Sequence, residues 1–515
     1  MQFGMQTVCV LVSTGLALGL FAPARADSLK VKSEQGKVHG KLINDGKVRA
    51  FLGLPYATPP VGDLRWKAPE PPVRWKGVRD ATHYGAHCVQ GIVYKDMVFQ
   101  DGVESEDCLF LNVYAPAGSS PKSKLPVMFW IHGGGYRGGA GSEPRHNGDF
   151  LATKGVVLVT INYRLGVFGF LATADLAKEA NGAAGNYGLL DMVAALQWVK
   201  ANIKRFGGDP GNVTIFGESA GSFAVSTLMA SPLAQGLFQK AIGESGAAFS
   251  NVLAADSLEK REKSDGEWVA SLGVKSLQEL RALPAERILS AAKDRKGGFP
   301  PVIDGKLLVE PVADTYAAGK QAHVPLLAGW NRDEGTSDGM TAEKWKAYAA
   351  EHFKERGEEF LKLYPGDTDE QAARSAADYN GDVFIAFGTW KWVEAQVKTG
   401  DAPVYRYHFE LAAPPSTYHP SLAFHSDDIE YVFGTLDTRP GETVRAEDRK
   451  LSEQMMDYWT NFAKTGNPNG PGLPEWPRFD EDGAILHLDS EIAAGPDTAR
   501  PRYEFLLKGM PADRP

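Results

Sequence analysis

Short apolar runs recur along the chain and predict the strands of a buried sheet. Residues 127–131 and 156–163 contain few polar side chains, which is typical of central strands that are covered on both faces. Residues 213–216 and 325–329 have the same character. By contrast, residues 29–48 alternate apolar and polar side chains around glycines, and this pattern indicates short antiparallel strands joined by turns.

Helical periodicity appears between these runs. Residues 187–206 repeat apolar side chains every three or four positions, which predicts an amphipathic helix. Residues 446–465 predict a second long helix, and residues 341–364 and 367–397 predict helical segments that could form a lid. Strands that alternate with helices imply a parallel sheet. We therefore predict an α/β fold with a large, mostly parallel central sheet, helices on both faces and helical lid insertions.

Other stretches are expected to lie outside the sheet. Residues 51–62 are rich in proline, and proline removes a backbone donor and fixes φ, so an ordered surface loop is predicted. Residues 251–320 predict short helices and loops. The residues after 465 form a tail rich in proline and glycine.

The composition is that of an ordinary globular protein. The 515 residues are 43% hydrophobic and 23% charged, with a net charge of −9. Because no long basic run occurs, no nucleic-acid partner is expected. No interdomain linker or internal repeat is evident, so residues 27–515 are predicted to form a single domain. After residue 26 no apolar stretch is long enough to predict a membrane span, and nothing in the pattern predicts the oligomeric state.

The first 26 residues predict a removable export signal. Residues 8–20 are apolar, and Ala24-Arg25-Ala26 matches the A-x-A cleavage pattern. Residues 1–6 depart from the usual pattern because they contain no Lys or Arg. We expect this signal peptide to be cleaved, which predicts a secreted or periplasmic protein.

The cysteines agree with an oxidising compartment. Cys9 lies inside the predicted signal, which leaves Cys88 and Cys108 as a pair. A bridge between them would stabilise the fold by roughly 3 kcal/mol in the chain-entropy model. Neither cysteine has the spacing of a zinc ligand. The cysteines therefore predict a disulfide and no metal site.

The strongest candidate for chemistry is a serine between spaced glycines, Gly217-Glu218-Ser219-Ala220-Gly221. A predicted strand leads into it, and helix-compatible residues 222–229 follow. A serine at the tip of such a turn is held clear of the sheet, and the backbone N–H groups after it point toward an incoming carbonyl. The motif is short enough to arise by chance, so its context has to support it.

A glycine-rich segment follows the predicted strand at residues 127–131. It reads His132-Gly133-Gly134-Gly135-Tyr136. Successive glycines let the backbone approach a ligand and turn its N–H groups toward it. A flexible linker does not usually begin at the end of a core strand, so we interpret this segment as an oxyanion-binding loop.

A serine nucleophile needs a base within hydrogen-bond reach and an acid that orients the base. In parallel-sheet hydrolases the chain order is serine, acid, histidine. His419 and His425 both lie on a loop after the predicted strand 404–411, and their spacing favours His425. Asp333 and Glu334 both follow the predicted strand 325–329, and spacing does not choose between them.

A second serine motif needs a separate interpretation. Gly243-Glu244-Ser245-Gly246 resembles the first motif but lacks the second spaced glycine. We therefore interpret Ser245 as a structural or supporting residue.

Two segments of this chain carry a resemblance to a known family. Residues 216–222 resemble the nucleophile signature of the type B carboxylesterase family, which includes acetylcholinesterase-like enzymes, and residues 106–114 resemble its second signature. Further similar segments are residues 54–65, 132–136, 331–335 and 459–463. The resemblance spans nearly the whole chain after residue 26 and implies the α/β-hydrolase fold.

The resemblance implies a serine carboxylesterase that acts on small-molecule esters without a cofactor. It implies that Ser219 is the nucleophile, that Glu334 rather than Asp333 is the acid, and that His425 is the base. Its oxyanion-binding N–H groups would be those of Gly134, Gly135 and Ala220. It also implies a disulfide between Cys88 and Cys108, and structural ion pairs Arg65–Glu106 and Arg164–Asp191.

The chain departs from the family pattern in places. Cholinesterases of the family carry a tryptophan in the loop between the two cysteines for the quaternary ammonium, whereas residues 89–107 contain none. This argues against a choline ester as the dedicated substrate. Ser426 follows His425 where many members have glycine.

Two alternative functions stay open. The same machinery could serve an amidase, a thioesterase or a polyester hydrolase. The family also contains non-catalytic adhesion proteins of the neuroligin type, but those lose a residue of the triad, and here all three positions are filled.

Overall fold

The computed structural model describes residues 29–95, 97–337, 339–416, 420–439, 441–480 and 483–510. The predicted signal peptide and the alternative base His419 lie outside these ranges. Within them, no helix is both long enough and apolar enough to cross a membrane.

The strands are given in chain order. They are β1 Lys30–Lys32, β2 Lys37–His39, β3 Lys41–Ile43, β4 Val48–Pro55, β5 Val78–Asp80, β6 His87–Cys88, β7 Glu104–Ser105, β8 Phe110–Pro116, β9 Leu125–Ile131, β10 Val157–Ile161, β11 Gly208–Glu218, β12 Lys240–Glu244, β13 Asp256–Ser257, β14 Val302–Ile303, β15 Leu326–Asn331, β16 Val404–Phe409, β17 Ala484–Leu488 and β18 Ala493–Pro496.

The α-helices follow the same order. They are α1 Gly166–Phe170, α2 Ala174–Glu179, α3 Tyr187–Asn202, α4 Ala220–Ala230, α5 Leu258–Ser271, α6 Leu277–Ala282, α7 Ala285–Lys293, α8 Val312–Ala317, α9 Ala342–Phe353, α10 Gly357–Leu363, α11 Asp369–Gly381, α12 Phe387–Thr399, α13 Ile429–Phe433, α14 Ala446–Thr465 and α15 Arg500–Leu507.

An eleven-stranded sheet forms the centre of the fold, in the order β18-β17-β16-β15-β12-β11-β9-β10-β8-β4-β3. The strands from β17 to β10 in this order pair in parallel. Antiparallel pairs add β18 at one edge and β8, β4 and β3 at the other. The predicted parallel sheet is therefore confirmed for its centre, while the sheet as a whole is mixed.

Helices cover both faces of this sheet. In β9, Val127 and Phe129 join one core cluster, whereas Met128 and Trp130 join the other, because successive side chains of a strand point to opposite faces. Helices α3, α4 and α12 contribute to the first cluster, and α13 and α14 contribute to the second. Burial on both faces explains why the central strands are almost wholly apolar.

The predicted surface loop at residues 51–62 is wrong in its first part. Val48–Pro55 forms β4 and pairs with β8, with a shift of register between Phe51 and Leu54. Gly53 has a φ of 66° at this irregularity, which is a conformation that favours glycine. The strand β12 and the antiparallel pair β17–β18, which the tail contributes, are strands that the sequence pattern did not predict.

Candidate active site

Ser219 lies at the junction between β11 and α4. Its φ of 52° and ψ of −123° fall in a sparsely populated region for a residue with a side chain, where strain is held by the surrounding structure. Its backbone N–H donates to the carbonyl of Glu244 at 2.9 Å, and its own carbonyl accepts from Phe223 at 2.9 Å. The turn is therefore fixed by both β12 and α4.

The two glycines beside Ser219 are required by packing. A Cβ built on Gly217 would lie 2.5 Å from the carbonyl oxygen of Ile131, and one built on Gly221 would lie 2.0 Å from the same atom. Real Cβ atoms do not approach a backbone oxygen this closely. The end of β9 thus excludes any side chain at either position.

Three predicted side chains form one hydrogen-bonded chain. His425 Nε2 lies 2.9 Å from the Oγ of Ser219, and His425 Nδ1 lies 2.6 Å from Oε2 of Glu334. Glu334 follows β15, and its side chain is only 2% exposed, whereas the imidazole is 27% exposed. The inner carboxylate is thus shielded from water while the imidazole remains accessible from the cavity.

The neighbouring acid, Asp333, is engaged elsewhere. Its carboxylate accepts hydrogen bonds from Arg332, from Arg374 at 2.6 Å and from the backbone of Ala423 at 2.9 Å. Burial raises its pKa, but these donors lower it more, so the pKa lies below its usual value. The structure therefore brings Glu334, and not Asp333, to His425.

The remaining oxygen of Glu334 is held by two donors. Ser245 Oγ donates to Oε1 at 2.6 Å, and the backbone N–H of Asn331 donates to the same atom at 2.8 Å. Ser245 is fully buried and has a φ of 53°. This contact agrees with its interpretation as a structural or supporting residue.

Sequence reasoning did not single out Glu218, which also contacts the imidazole. Its Oε1 lies 3.3 Å from Nε2 of His425, on the side where Ser219 also sits. Burial raises the pKa of Glu218 to about 8. Its position immediately before the serine in the motif was the available signal, but one acid in a short motif does not reveal which way its side chain turns.

The pKa of His425 depends on these carboxylates. Burial lowers it, the charges of Glu218 and Glu334 raise it, and the balance is a pKa of about 9. When Glu218 is protonated, the largest raising contribution disappears, and the imidazole loses its proton at a lower pH. The imidazole and Glu218 are thus linked in their protonation.

The glycine loop lies beside Ser219. Gly134 and Gly135 have φ values of 97° and 63°, and the loop is anchored by the hydroxyl of Tyr163, which donates to the carbonyl of His132 at 2.8 Å. Within the described residues, the N–H groups of Gly134, Gly135 and Ala220 donate to no other group. These three donors are available to a ligand.

The glycines of this loop, Ser219 and His425 border a cavity of about 1020 Å³. Ser219, His425 and the glycine loop form part of its wall. Residues 93–95, 251–254 and 297–300 form other parts. Among the apolar side chains, Phe384 lies edge-on to the imidazole at 5.1 Å between ring centroids. The cavity is large enough for a small organic molecule.

Comparison with known proteins identifies the family. The model of the carboxylesterase family matches residues 27–506 of this chain. The chain belongs to the carboxylesterase family. It is accordingly a carboxylic ester hydrolase with the α/β-hydrolase fold, which confirms the resemblance seen in the sequence.

Similar proteins cover nearly the whole chain. Para-nitrobenzyl esterase of Bacillus subtilis (strain 168) is 38% identical over 510 residues, which are 93% of this chain and 99% of that protein. Fumonisin B1 esterase of Sphingopyxis macrogoltabida is 36% identical over 490 residues, 90% of this chain and 87% of its own. A solved structure of a PNB esterase matches with a TM-score of 0.80 at 37% identity, over 92% of this chain and 99% of that one.

The cysteine pair of this carboxylesterase forms the expected disulfide. Cys88 and Cys108 are bonded to each other, and the loop that the bridge closes supplies Val93, Tyr94 and Lys95 to the wall of the cavity. The bridge therefore restrains a segment that borders the site.

Two ion pairs have the structural role that the resemblance implied. Arg65 Nε donates to Glu106 at 2.6 Å, and Arg164 pairs with Asp191 through two hydrogen bonds of 2.7 and 2.8 Å. All four residues lie outside the cavity wall. Their charges therefore hold loops in place and do not face the reacting groups.

One group of potential metal ligands lies elsewhere, on β16, on β17 and at the residue that follows β16. The Nδ1 atoms of His408 and His487 lie 2.7 and 2.6 Å from the same oxygen of Glu410. Both imidazoles thus share one carboxylate oxygen, and the group does not line the cavity.

Proposed function

We propose that this enzyme is a serine carboxylesterase that works through Ser219, His425 and Glu334. The observation that carries the proposal is the continuous hydrogen-bonded path from Glu334 through His425 to Ser219 at the wall of an open cavity. This is the arrangement in which a base activates a serine while an acid fixes the tautomer of the base.

In the first step His425 takes the proton of Ser219 as the Oγ attacks the ester carbonyl. Glu334 stabilises the imidazolium that forms. The N–H groups of Gly134, Gly135 and Ala220 would donate to the oxyanion, and each such donor contributes about 2.7–4 kcal/mol to transition-state stabilisation in related enzymes. His425 then gives its proton to the departing alcohol, which leaves an acyl group on Ser219.

In the second step water takes the place of the alcohol. His425 removes a proton from the water as it attacks the acyl-enzyme, and then returns the proton to Ser219. The products are a carboxylic acid and free enzyme. Every proton transfer uses the same Nε2 atom, so its access from the cavity is required in both halves of the reaction.

The nucleophile can be identified by covalent labelling. Incubating the enzyme with a p-nitrophenyl phosphonate should abolish its hydrolysis of p-nitrophenyl butyrate and leave one phosphonyl group, which peptide mass spectrometry should locate on Ser219. An adduct on Ser245 would instead move the nucleophile to the second motif. A parallel comparison of butyrate ester, amide and thioester turnover distinguishes the esterase from the amidase and thioesterase alternatives.

We further propose that residues 1–26 direct export and that residues 27–515 form one domain. The apolar segment and the A-x-A pattern in the sequence support export. Expression of the full chain in a Gram-negative bacterium should yield mature protein that begins at Asp27 in the periplasm or the medium, as determined by N-terminal sequencing. Retention of Met1 in cytoplasmic protein would contradict export.

A further inference from the structure

The cavity carries a charge opposite to that of the protein. The whole chain has 55 Lys and Arg residues against 64 Asp and Glu. Among the described residues of the cavity wall, five are Lys or Arg and three are Asp or Glu. Its cationic side chains are Lys95, Arg137, Arg145, Lys260 and Arg295.

Protonation strengthens this contrast. One of the three acids, Glu218, has its pKa raised to about 8 by burial, which favours its neutral form. A second, Asp256, is paired with Lys260 at 2.5 Å. The third, Glu143, lies 3.5 Å from Arg145. The acids therefore leave cationic charge on the wall uncompensated.

Arg137 is the cation best placed to use this charge. It is exposed and makes no ion pair with any described residue. It directly follows the glycine loop, and a Cβ built on Gly135 would lie 3.6 Å from its Nε atom. Its guanidinium is thus close to Gly135, one of the residues whose N–H is proposed to hold the oxyanion. Lys95 is a second exposed cation on the wall, and it likewise has no ion-pair partner in the described ranges.

Arg295 adds a partly satisfied guanidinium. Its Nη2 pairs with Asp265 at 2.5 Å, but Asp265 also binds Arg261 at 2.8 Å, so two cations share one carboxylate. The Nη1 of Arg295 is buried, and no described residue accepts a hydrogen bond from it. This part of the wall keeps a net positive charge and an unused donor.

We propose that the cleft selects esters that carry an additional ionised carboxylate, with Arg137 and Lys95 as its recognition residues. This inference rests on the proposed function and adds the substrate class. A concave site lined by one sign of charge concentrates ligands of the opposite sign, and a guanidinium matches a carboxylate with two parallel hydrogen bonds. Apolar side chains such as Leu253 and Phe299 also line the cavity, so the rest of the substrate is apolar.

The test compares esters that differ only in charge. For a carboxylate on the acyl side, monoethyl glutarate is compared with ethyl glutaramate, its neutral amide isostere. For a carboxylate on the alcohol side, 4-acetoxybutanoate is compared with 4-acetoxybutanamide. In at least one of these two comparisons, the kcat/KM of the anion should exceed that of the amide about tenfold or more. Added NaCl should lower this ratio because salt screens exposed charges.

Substitutions in the cleft then test whether Arg137 and Lys95 cause the preference for the anion. Arg137→Gln and Lys95→Gln should each lower the anion-to-amide ratio up to about fivefold, since an exposed ion pair contributes up to about 1 kcal/mol. Lys200→Gln removes the same charge from an exposed position on α3, outside the cavity wall, and should keep the ratio.

The outcomes separate the two proposals. Preference for the neutral amide in both comparisons would overturn the proposed selection of anionic esters and leave the esterase proposal intact. Failure to hydrolyse any of the four esters while p-nitrophenyl butyrate is turned over would overturn the substrate class alone, whereas failure on all five esters would overturn the proposed function itself. An anion preference that survives both cleft variants would overturn the assignment to Arg137 and Lys95.

Discussion

Two serines in this fold have the same positive φ and differ in their surroundings. Ser219 follows β11 with a φ of 52°, and Ser245 follows the adjacent parallel strand β12 with a φ of 53°. Ser219 faces the cavity and contacts His425, whereas Ser245 is fully buried and donates to Glu334. The strained turn alone therefore does not make a nucleophile; a base and an open cavity are also needed.

The two serines stand at opposite ends of one hydrogen-bonded chain. Ser245 contacts Glu334, Glu334 contacts His425, and His425 contacts Ser219. We expect a change to have a smaller effect the farther it lies along this chain from the attacking oxygen.

The largest effect is expected at Ser219. Ser219→Ala removes the attacking oxygen and should lower kcat on p-nitrophenyl butyrate by about 10⁴–10⁶, as in other serine hydrolases. The thermal midpoint should change little, which circular dichroism can check. A variant that kept more than a few per cent of the activity would show that Ser219 is not the nucleophile.

Glu334→Gln should have the next largest effect, with a fall in kcat of about 10³–10⁴, because an amide can hold the imidazole in the wrong tautomer.

The matched control is Asp333→Asn at the neighbouring position. Asp333 has a lowered pKa in the folded state, so its ion pairs stabilise the protein above the usual carboxyl pKa, and that stability is lost as the pH falls through the lowered value.

Asp333→Asn should therefore lower the free energy of unfolding near neutral pH more than in acid. Its kcat should stay far above that of Glu334→Gln. If the two variants lost equal activity, the choice of Glu334 as the acid would be wrong. Steady-state kinetics and urea unfolding at two pH values make this comparison.

Ser245→Ala should have a moderate effect of about tenfold in kcat, because a hydrogen bond to a charged group contributes about 1.5–3 kcal/mol and Asn331 still donates to Glu334. Ser226→Ala is the control, since Ser226 is also fully buried but bonds within α4 and to Ala248. Equal kinetic losses in both variants would mean that Ser245 acts through stability alone.

The smallest effect is expected for Glu218→Gln, and it should appear in the pH profile. His425 acts as a base only when it is neutral, so activity rises as the pH passes its pKa. Glu218 is the largest charge that raises this pKa, so its removal should move the acidic limb of kcat/KM to lower pH. A limb that moved to higher pH, or stayed in place, would contradict the contact between Glu218 and His425.

Much of the fold is predictable where burial is uniform. The helix predicted at residues 446–465 is the observed α14, and the predicted strand 127–131 is extended by only two residues in β9. The pattern failed at β4, where Pro55 suggested a loop although the strand ends at that proline. It also missed β12, because its few apolar residues are too short a run to separate a strand from a loop.

The candidate site was predictable in its residue types and not in its contacts. Residue spacing did not distinguish Asp333 from Glu334 as the acid, and the family resemblance selected Glu334. The physical distinction lies in Arg374 on α11, which binds Asp333 from 41 positions farther along the chain. Such a contact depends on how α11 packs, which local pattern does not reveal. The catalytic roles and the single-domain boundary stay predictions until they are measured.

The contact between the end of β9 and the two glycines beside Ser219 has a consequence for annotating genomes. The carbonyl oxygen of Ile131 leaves no room for a side chain at Gly217 or Gly221. This steric restriction would remain if the serine were replaced. A search for the spaced glycines therefore detects a crossing of two chain segments and not an enzymatic activity. Distinguishing active members from inactive ones requires reading the positions of Ser219, Glu334 and His425 together.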